Sequence, residues 1–277
     1  MTLLVRDEED VVAAHLDYHL ARGVDHIIVT DNRSRDGTRS IVSEFERRGR
    51  VTLLDEPGQD YQQSVWVTRM ARAAAQMDAD WVINSDADEM WWTDETDLKA
   101  ALEIVPPRFG LAVVARANAL PHRVLCEHPF ASMTLREVRS FSALGRPLPA
   151  KVAHRARPDV VVAQGNHDVS SPSLGARCKA SGLTIFHFPY RSYAQFERKI
   201  ANGGTAYARN TSIPPAVGED WRRLNALLEV GGLRRWYEAL PHADDPETSE
   251  RIARGEVVDD RRLADYLRRN VLRSPIR

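Results

Sequence analysis

Trp81-Val82-Ile83-Asn84-Ser85-Asp86-Ala87-Asp88-Glu89 is the stretch that decides the fold, because it reads as a short buried strand that runs into a cluster of carboxylates. Its first three residues are apolar and favour β-structure, as a strand covered on both faces requires. In extended backbone Asp86 and Asp88 would point to the same side, where their charges repel each other. A divalent cation relieves such repulsion, and hard oxygen ligands suit Mg²⁺ or Mn²⁺ better than Zn²⁺. The alternative interpretation is a solvated acidic turn that caps a helix.

The composition is that of an ordinary globular protein. The chain has 277 residues, 43% hydrophobic and 28% charged, which suits one large α/β domain or a domain with an appendage. The net charge of −1 gives no electrostatic case for nucleic acid as a partner. Cys126 and Cys178 make neither a disulfide framework nor a metal-type pair, so we interpret them as reduced thiols. With no signal-peptide layout and no apolar run near about 18 residues, a cytoplasmic location is expected.

Strands and helices alternate over residues 1–90. Strands are predicted at 2–5, 24–29, 51–54 and 81–83, and helices at 8–22, 38–48 and 62–77. This alternation predicts a parallel sheet with helices on both faces. Ligands bind beyond the carboxyl ends of such strands, so the polar clusters at 6–8, 31–36 and 86–89 are expected to meet at one edge. Neither a Gly-x-Gly-x-x-Gly after the first strand nor a Walker-type loop occurs in the sequence, which argues against a dinucleotide-binding domain.

The pattern loosens after Asp88. Met90-Trp91-Trp92 either closes the core or offers aromatic faces to a sugar ring. Residues 118–150 are irregular and charged, as expected of a substrate-specific insertion or lid. The remaining elements are predicted as a short helix at 97–104 and strands at 111–117, 160–163 and 183–188.

The C-terminal part reads as helical. Ser192 is a predicted N-cap, with Gln195 completing a capping box. From residue 214 onward the chain is amphipathic and rich in arginine. Its segment 260–273 is interpreted either as a solvated helix packed on the domain or as a peripheral contact with an anionic membrane surface.

Several ordered blocks resemble the family 2-like glycosyltransferases. They are Val5-Arg6-Asp7-Glu8-Glu9, the segment 17–26, Asp31-Asn32-Arg33-Ser34-Arg35-Asp36-Gly37-Thr38 and Asp86-Ala87-Asp88-Glu89. The similarity is to a branch that opens with a Lys-Asn-Glu-Glu motif, and the segment 187–199 resembles that branch's C-terminal signature. The resemblance covers roughly residues 1–205. It implies an α/β GT-A fold, with a Rossmann-like, mostly parallel sheet, flanking helices and a helical C-terminal extension.

The resemblance also implies roles for individual residues. Asp86 and Asp88 match the Asp-x-Asp motif that holds Mn²⁺ or Mg²⁺ against the diphosphate of a nucleotide-sugar, usually a UDP-sugar, and His187 matches a late histidine of the metal shell. The donor-binding positions implied are Arg6, Asp7, Glu8, Asp31, Asn32, Asp86, Arg191 and Lys199. Two departures, Asp7 in place of Asn and Arg33-Ser34 in place of Gly-Ser, leave the donor base and the shape of its pocket open.

The activity expected from this resemblance is transfer of a sugar, with inversion, to a hydroxyl of a glycan, lipid-linked or small-molecule acceptor. Such a reaction needs a base within hydrogen-bond reach of that hydroxyl. Asp168 is the candidate, and Glu127, Glu137 and Asp159 are rivals. The expected domains are 1–212, divided into a nucleotide-binding half 1–90 and an acceptor half 91–212, and the extension 213–277.

Two alternatives stay open at this point. A sugar nucleotidyltransferase also uses a parallel sheet, a metal and acidic strand ends, but it usually carries a Gly-rich basic loop after the first strand, where this chain has acids. A non-catalytic sugar-binding protein on the same fold would be expected to lose the metal carboxylates, and Asp86 and Asp88 are both present.

Overall fold

The computed structural model of the protein describes residues 1–60, 62–125, 127–211, 213–214 and 216–272. The chain forms two compact units, which we call unit 1 and unit 2. Unit 1 contains residues 1–57, 62–116 and 149–186, and unit 2 contains residues 58–61, 117–148 and 187–277. The domain boundary expected between residues 212 and 213 stays a prediction, and residue 212 lies outside the described residues, as does Cys126.

Strands and helices alternate in the first part of the chain, short strands dominate its middle, and helices dominate its C-terminal part. In chain order, the strands are β1 (Thr2–Val5), β2 (Ile27–Asp31), β3 (Val51–Asp55), β4 (Trp81–Asp86), β5 (Glu89–Thr93), β6 (Phe109–Val114), β7 (Arg116–Asn118), β8 (Leu135–Glu137), β9 (Lys151–Arg155), β10 (Val161–Val162), β11 (Val169–Ser170), β12 (Ala176–Lys179), β13 (Leu183–His187) and β14 (Val257–Asp259). The helices are α1 (Val12–Ala21), α2 (Thr38–Arg47), α3 (Gln63–Gln76), α4 (Leu98–Glu103), α5 (Pro129–Ser132), α6 (Tyr193–Arg209), α7 (Glu219–Glu229), α8 (Leu233–Glu238), α9 (Thr248–Ala253) and α10 (Arg262–Asn270). A short 3-10 helix covers Gln164–Asn166.

The main sheet has the strand order β12-β6-β9-β4-β1-β2-β3 and is mostly parallel. β1 lies between β2 and β4 and runs parallel to both, and β2 runs parallel to β3. β9 runs antiparallel between β4 and β6. The predicted α/β class with a mostly parallel sheet and flanking helices is therefore confirmed. A smaller sheet has the order β5-β13-β7.

The core of unit 1 forms because the apolar face of α3 packs on the main sheet. Val67 and Met70 of α3 lie in one buried cluster with Ile28 of β2 and Val82 of β4. The aromatic run Met90-Trp91-Trp92 is buried in β5, so its role is to close the core, which was the first of its two interpretations.

Strand β9 was not predicted from the sequence. Lys151 and His154 interrupt its apolar pattern, and a charged or polar residue in a short segment normally indicates solvent exposure. Both side chains are nevertheless buried. The structure thus places a lysine inside unit 1, on a strand next to β4, and this lysine becomes important at the candidate site.

Unit 2 is built around α6. Phe196 and Ile200 of α6 pack with Leu224 of α7 and Leu233 of α8 in a second buried cluster. Ser192 caps α6 as predicted, because its hydroxyl accepts a hydrogen bond from the Gln195 N–H. The Gln195 side chain accepts from the backbone N–H of the residue before the cap, so the predicted capping box is incomplete.

The C-terminal helices are partly as predicted. Unit 2 also contains β14, which pairs antiparallel with β8 in the segment predicted to be irregular. The apolar face of α10, made of Leu263, Ala264 and Leu267, is buried, as the packed-helix interpretation of 260–273 requires; residue 273 is not among the described residues. In the part of the chain that the structure describes, no helix combines the length and apolarity needed to cross a membrane.

Candidate functional site

The predicted meeting of polar clusters at one edge of the main sheet follows from the register of three strands. Val5, the last residue of β1, is paired with Asp31 of β2, and Leu4 is paired with Asp86 of β4. Because the strands are parallel, both acids lie at carboxyl ends, on either side of β1. This is the edge at which ligands bind in open α/β sheets.

Two loops at this edge are hydrogen-bonded to each other. Asp7 has a left-handed backbone with φ of 56°, and its Oδ1 accepts a hydrogen bond from the Arg35 N–H at 2.7 Å. The Asp7 N–H donates to Ser34 Oγ at 3.0 Å, and the Glu8 N–H donates to Thr38 Oγ1 at 2.8 Å. Asp7, predicted to bind the donor, is thus buried and shapes the loop that follows β2. Replacement of Asp7 by a residue without a carboxylate would remove its hydrogen bond to the Arg35 N–H in that loop.

Asp31 carries an unsatisfied oxygen. It is 3% exposed, its Oδ2 accepts from the Ser34 N–H at 3.1 Å, and its buried Oδ1 has no hydrogen-bond partner among the described residues. A buried acceptor without a donor costs free energy that a ligand hydroxyl or N–H can restore. Its neighbour Asn32 donates instead to the Glu56 carbonyl, a contact that orders the strand end. Arg6 is half-buried at the same edge.

Asp86 is held by hydrogen bonds on both oxygens. Lys151 Nζ lies 2.6 Å from Oδ2, and Asn166 Nδ2 donates to Oδ1 at 3.0 Å. Gln63 Nε2 approaches Oδ1 at 3.5 Å. The side chain is 33% exposed, so it is accessible to solvent while the hydrogen bonds from Lys151 and Asn166 fix its orientation. Sequence reasoning missed Lys151 and Asn166 because their positions depend on β9 and on the 3-10 helix.

Lys151 also compensates a second acid. The carboxylate of Glu89 is buried, with its Oε1 3.2 Å from Lys151 Nζ and 3.2 Å from Arg116 Nη1. Burial raises the pKa of the Glu89 carboxyl, and the positive charge of Lys151 opposes that shift. The side chain of Lys151 is 0% exposed. A fixed internal cation therefore stands between Asp86 and Glu89.

Asp88 is placed differently from Asp86. Strand β4 ends at Asp86 and Ala87 and Asp88 form a turn, so the strand alternation that put both carboxylates on one side does not apply. Asp88 is 2% exposed. It is close enough to His15 for its charge to oppose the effect of burial, which lowers the pKa of His15 to about 3. Asp86 is therefore the more accessible acid of the motif.

The fit of a divalent cation to this edge rests on Asp86. Its carboxylate offers the hard oxygen donors that Mg²⁺ and Mn²⁺ prefer, and it is partly open to solvent. Over the described ranges of the chain, no group of three or more His, Cys, Asp or Glu side chains is arranged to hold a metal ion. The donor chemistry thus fits, while a complete ligand set is not preformed.

The remaining predicted ligand and donor residues belong to unit 2. His187 ends β13, and its Nδ1 lies 2.7 Å from Asn118 Oδ1. Arg191 is 1% exposed just before α6, and Lys199 is half-buried on α6, with its Nζ 6.0 Å from the ring centroid of Trp221.

Two of the candidate bases lie in unit 1 and are engaged with neighbouring groups. The carboxylate of Asp168 is half-exposed and pairs with Arg177 Nη2 at 3.2 Å. Asp159 Oδ1 accepts a hydrogen bond from Ser173 Oγ at 2.7 Å. The hydrogen bond from Ser173 lowers the pKa of Asp159, which makes that carboxylate a weaker base.

The other two candidates lie in unit 2. Glu127 is exposed and pairs with Arg268. Glu137 is enclosed, with its carboxylate 3.6 Å from Arg251 and 3.5 Å from Nδ2 of Asn118, the residue that also contacts His187. Burial raises the pKa of Glu137, which is the direction a general base at neutral pH requires.

Similarity to known proteins is found both in the sequence and in the fold. Residues 5–170 match the model of the family "Glycosyl transferase family 2". No curated protein matches the sequence. S. aureus TarS, residues 1–349, is similar in structure at a TM-score of 0.43 and 11% identity, covering 92% of this chain and 90% of that one. The mannosyltransferase PcManGT from Pyrobaculum calidifontis, in complex with GDP-Man and Mn²⁺, has a TM-score of 0.40 and 17% identity over 92% of this chain and 78% of that one.

A third similar structure is GalNAc-T7 with UDP, GalNAc and Mn²⁺, at a TM-score of 0.44 and 11% identity, covering 98% of this chain and 55% of that one. These structural likenesses are weak, whereas the family model spans more than half of the sequence. The matched region begins at the end of β1 and includes the loop after β2, the Asp86 turn, β9 and the 3-10 helix. The chain therefore belongs to glycosyl transferase family 2.

Proposed function

We propose that this glycosyltransferase moves a sugar from a nucleotide-sugar, with UDP as the nucleotide, to an acceptor hydroxyl with inversion. The observation that carries the proposal is the strand register that places Asp31 and Asp86 at carboxyl ends on either side of β1. A nucleotide laid across this edge would reach both acids, as ligands do at the corresponding edge of other open α/β sheets.

Asp31 is proposed to recognise the nucleoside. Its buried Oδ1 lacks a hydrogen-bond donor among the described residues, so a ribose hydroxyl or a base N–H would satisfy it. Asp7 and Glu8 act by holding the two loops together, and Asn32 by anchoring the strand end. Arg6, half-buried beside them, is the cationic member of this proposed donor site.

Asp86 is proposed as the ligand of Mn²⁺ or Mg²⁺, with Asp88 and His187 as the further ligands that the resemblance implies. A metal bound there would supply positive charge to the diphosphate as it leaves. Lys151 and Asn166 hold the Asp86 carboxylate in one orientation, as outer partners of metal ligands do. Arg191 and Lys199 stay predicted donor residues on the resemblance.

The catalytic base is proposed among the four carboxylates considered above. Asp168 is the residue predicted from the sequence, and Glu137 has the raised pKa that suits the task. With an active donor and acceptor in hand, the base variant, Asp168→Asn or Glu137→Gln, should lower kcat about a hundredfold or more and leave UDP affinity unchanged. If a variant retains the full kcat, the residue that it replaces is not the catalytic base.

Calorimetric titration of UDP, with and without Mn²⁺, tests the donor site. Asp86→Asn should abolish the Mn²⁺-dependent part of UDP binding. Asp31→Asn should weaken UDP binding both with and without Mn²⁺. Asp25→Asn is the matched control, since Asp25 is an exposed acid near the opposite end of β2 and pairs with Lys99. It should bind UDP as the wild type does.

Binding of UDP that survives both Asp31→Asn and Asp86→Asn would overturn this placement of the donor. If UDP does not bind and another nucleotide binds with the same dependence on Asp86, only the identity of the donor's nucleobase changes in this proposal. A folded protein that binds no common nucleotide would favour the non-catalytic alternative.

A further inference from the structure

Unit 2 contains a cavity of about 310 Å³ that the donor proposal does not explain. Its lining includes Arg191 and Tyr193 at the start of α6, Arg234 and Tyr237 of α8, and His242 beyond α8. A cavity of this volume is at the small end of ligand sites and is large enough for a monosaccharide with one substituent.

Arg191 is the most buried charged residue of the lining, and its Nη1 donates a hydrogen bond to the Phe188 carbonyl at 3.4 Å. Its guanidinium is almost completely buried, and arginine does not lose its proton even when buried. The N-terminus of α6, a helix of 17 residues, opens at the same wall, where its amide dipoles add positive potential. A fixed guanidinium and a helix N-terminus in one wall favour a ligand with a negatively charged group.

Arg234 adds a second guanidinium, at the rim. Its central carbon lies 3.9 Å from the ring centroid of Tyr193, so it is stacked on an aromatic face. Its ion pair with Glu238 is long, at 3.9 Å, and the two side chains are 62% and 59% exposed. Such a pair contributes little, so Arg234 can turn to a ligand at small cost. Two guanidinium forks match the oxygens of a phosphate or a carboxylate.

The other walls suit a sugar ring. Tyr193 and Tyr237 both line the cavity, with ring centroids 5.6 Å apart. Burial raises the pKa of Tyr237 to about 12, so its hydroxyl stays protonated and able to donate. Glu238 also lines the cavity, beside Arg234. Two further lining residues, Arg123 and His122, pair with Asp245 and Asp244.

We propose that this cavity binds an anionic sugar, through a phosphate or a carboxylate carried on a monosaccharide-sized group. The inference goes beyond the proposed function, because it adds a ligand site in unit 2 to the proposed donor site. It also assigns Arg191 to this ligand in place of the donor role that the resemblance implies.

The test is calorimetric titration of the full chain with glucose 6-phosphate, glucuronate and glucose, without nucleotide. At least one of the two anionic sugars should bind about tenfold or more tightly than neutral glucose. Arg234→Ala should weaken that binding about tenfold to a hundredfold, the effect of a lost charge-assisted hydrogen bond. Arg235→Ala is the matched control, an exposed arginine on the same helix that does not line the cavity, and it should change nothing.

Three results would overturn the inference: no binding of either anionic sugar, equal binding of glucose, or equal effects of the two arginine variants. Competition of UDP for the same site would also overturn it, because the cavity would then hold the donor's diphosphate. Arg191→Lys, which keeps the charge and loses the fork, should weaken binding while circular dichroism stays unchanged. The UDP titration with Asp86→Asn is independent of these ligands, so it shows separately whether the proposed function fails.

Discussion

Replacement of Lys151 by methionine tests the internal cation that stands behind Asp86. The substitution removes the ammonium and keeps most of the apolar stem. It leaves Asp86, which is partly exposed and can be solvated by water, and Glu89, which is fully buried and, among the described residues, keeps Arg116 as its one ion-pair partner. The cost should therefore arise chiefly at Glu89.

The size of that cost follows from two limits. Removal of one partner of a buried ion pair typically costs about 3–5 kcal/mol. Glu89 can instead take up a proton, which at pH 7 costs about 4 kcal/mol for a carboxyl whose ordinary pKa is about 4.3. The expected loss is thus about 3–4 kcal/mol at pH 7. A carboxyl whose folded-state pKa is raised is destabilising above its ordinary pKa, so the loss should shrink to about 2 kcal/mol at pH 5.5.

Urea unfolding of Lys151→Met and the wild type at pH 7 and pH 5.5 measures both values. Lys99→Met is the control, because Lys99 is half-exposed and pairs with an exposed acid, so its removal should cost less than about 0.5 kcal/mol. Adding Glu89→Gln to Lys151→Met should recover at least half of the loss. The reasoning is refuted if Lys151→Met costs no more than the control at pH 7, or if its cost does not fall between the two pH values.

Two further predictions concern neighbouring elements. Burial lowers the pKa of His154 to about 4, so between pH 6.5 and pH 4 the unfolded chain binds a proton that the folded chain does not, and the free energy of unfolding falls as the pH falls. Between pH 7 and pH 5, the free energy of unfolding measured in urea should fall by about 2 kcal/mol less for His154→Gln than for the wild type. Equal losses in the two proteins would exclude the effect. Gly165 has a φ of 77°, and a Cβ there would lie 2.7 Å from the ring of His167. Gly165→Ala should therefore cost about 1–3 kcal/mol in thermal unfolding. Gly182→Ala, at a position where a Cβ meets nothing within 4 Å, should cost less than about 1 kcal/mol; similar costs for the two would contradict this account of the turn.

The part of the fold that could be predicted from the sequence is the part built by local rules. Over residues 1–90 strands and helices follow each other with short connections, and each is marked by its own hydrophobic period. Parallel strands place their carboxyl ends at one edge, so the neighbourhood of Asp31 and Asp86 was predictable without any contact being known. The cap at Ser192 was predictable for the same reason, since it depends on residues three apart.

What could not be predicted involves elements whose role depends on distant partners. β9 contains a lysine and a histidine that are both buried, and its position between β4 and β6 is fixed by pairing with strands far away along the chain. The turn after Asp86 removed the strand alternation on which the expected alignment of Asp86 and Asp88 depended. The cavity of unit 2 could not be predicted from the sequence either, because α6 and α8 supply its lining from separate parts of the chain.

By itself the sequence determined the class of fold and the acids at the strand ends, because these depend on hydrophobic period and short spacings, and the resemblance of its ordered motifs indicated the family. Only the tertiary structure decided which charges meet. Lys151 is 65 residues from Asp86 along the chain, and Asn166 is 80 residues away, yet both contact its carboxylate. An ion pair inside a protein depends on distance and on burial, and both of these exist only once the strands have been brought side by side.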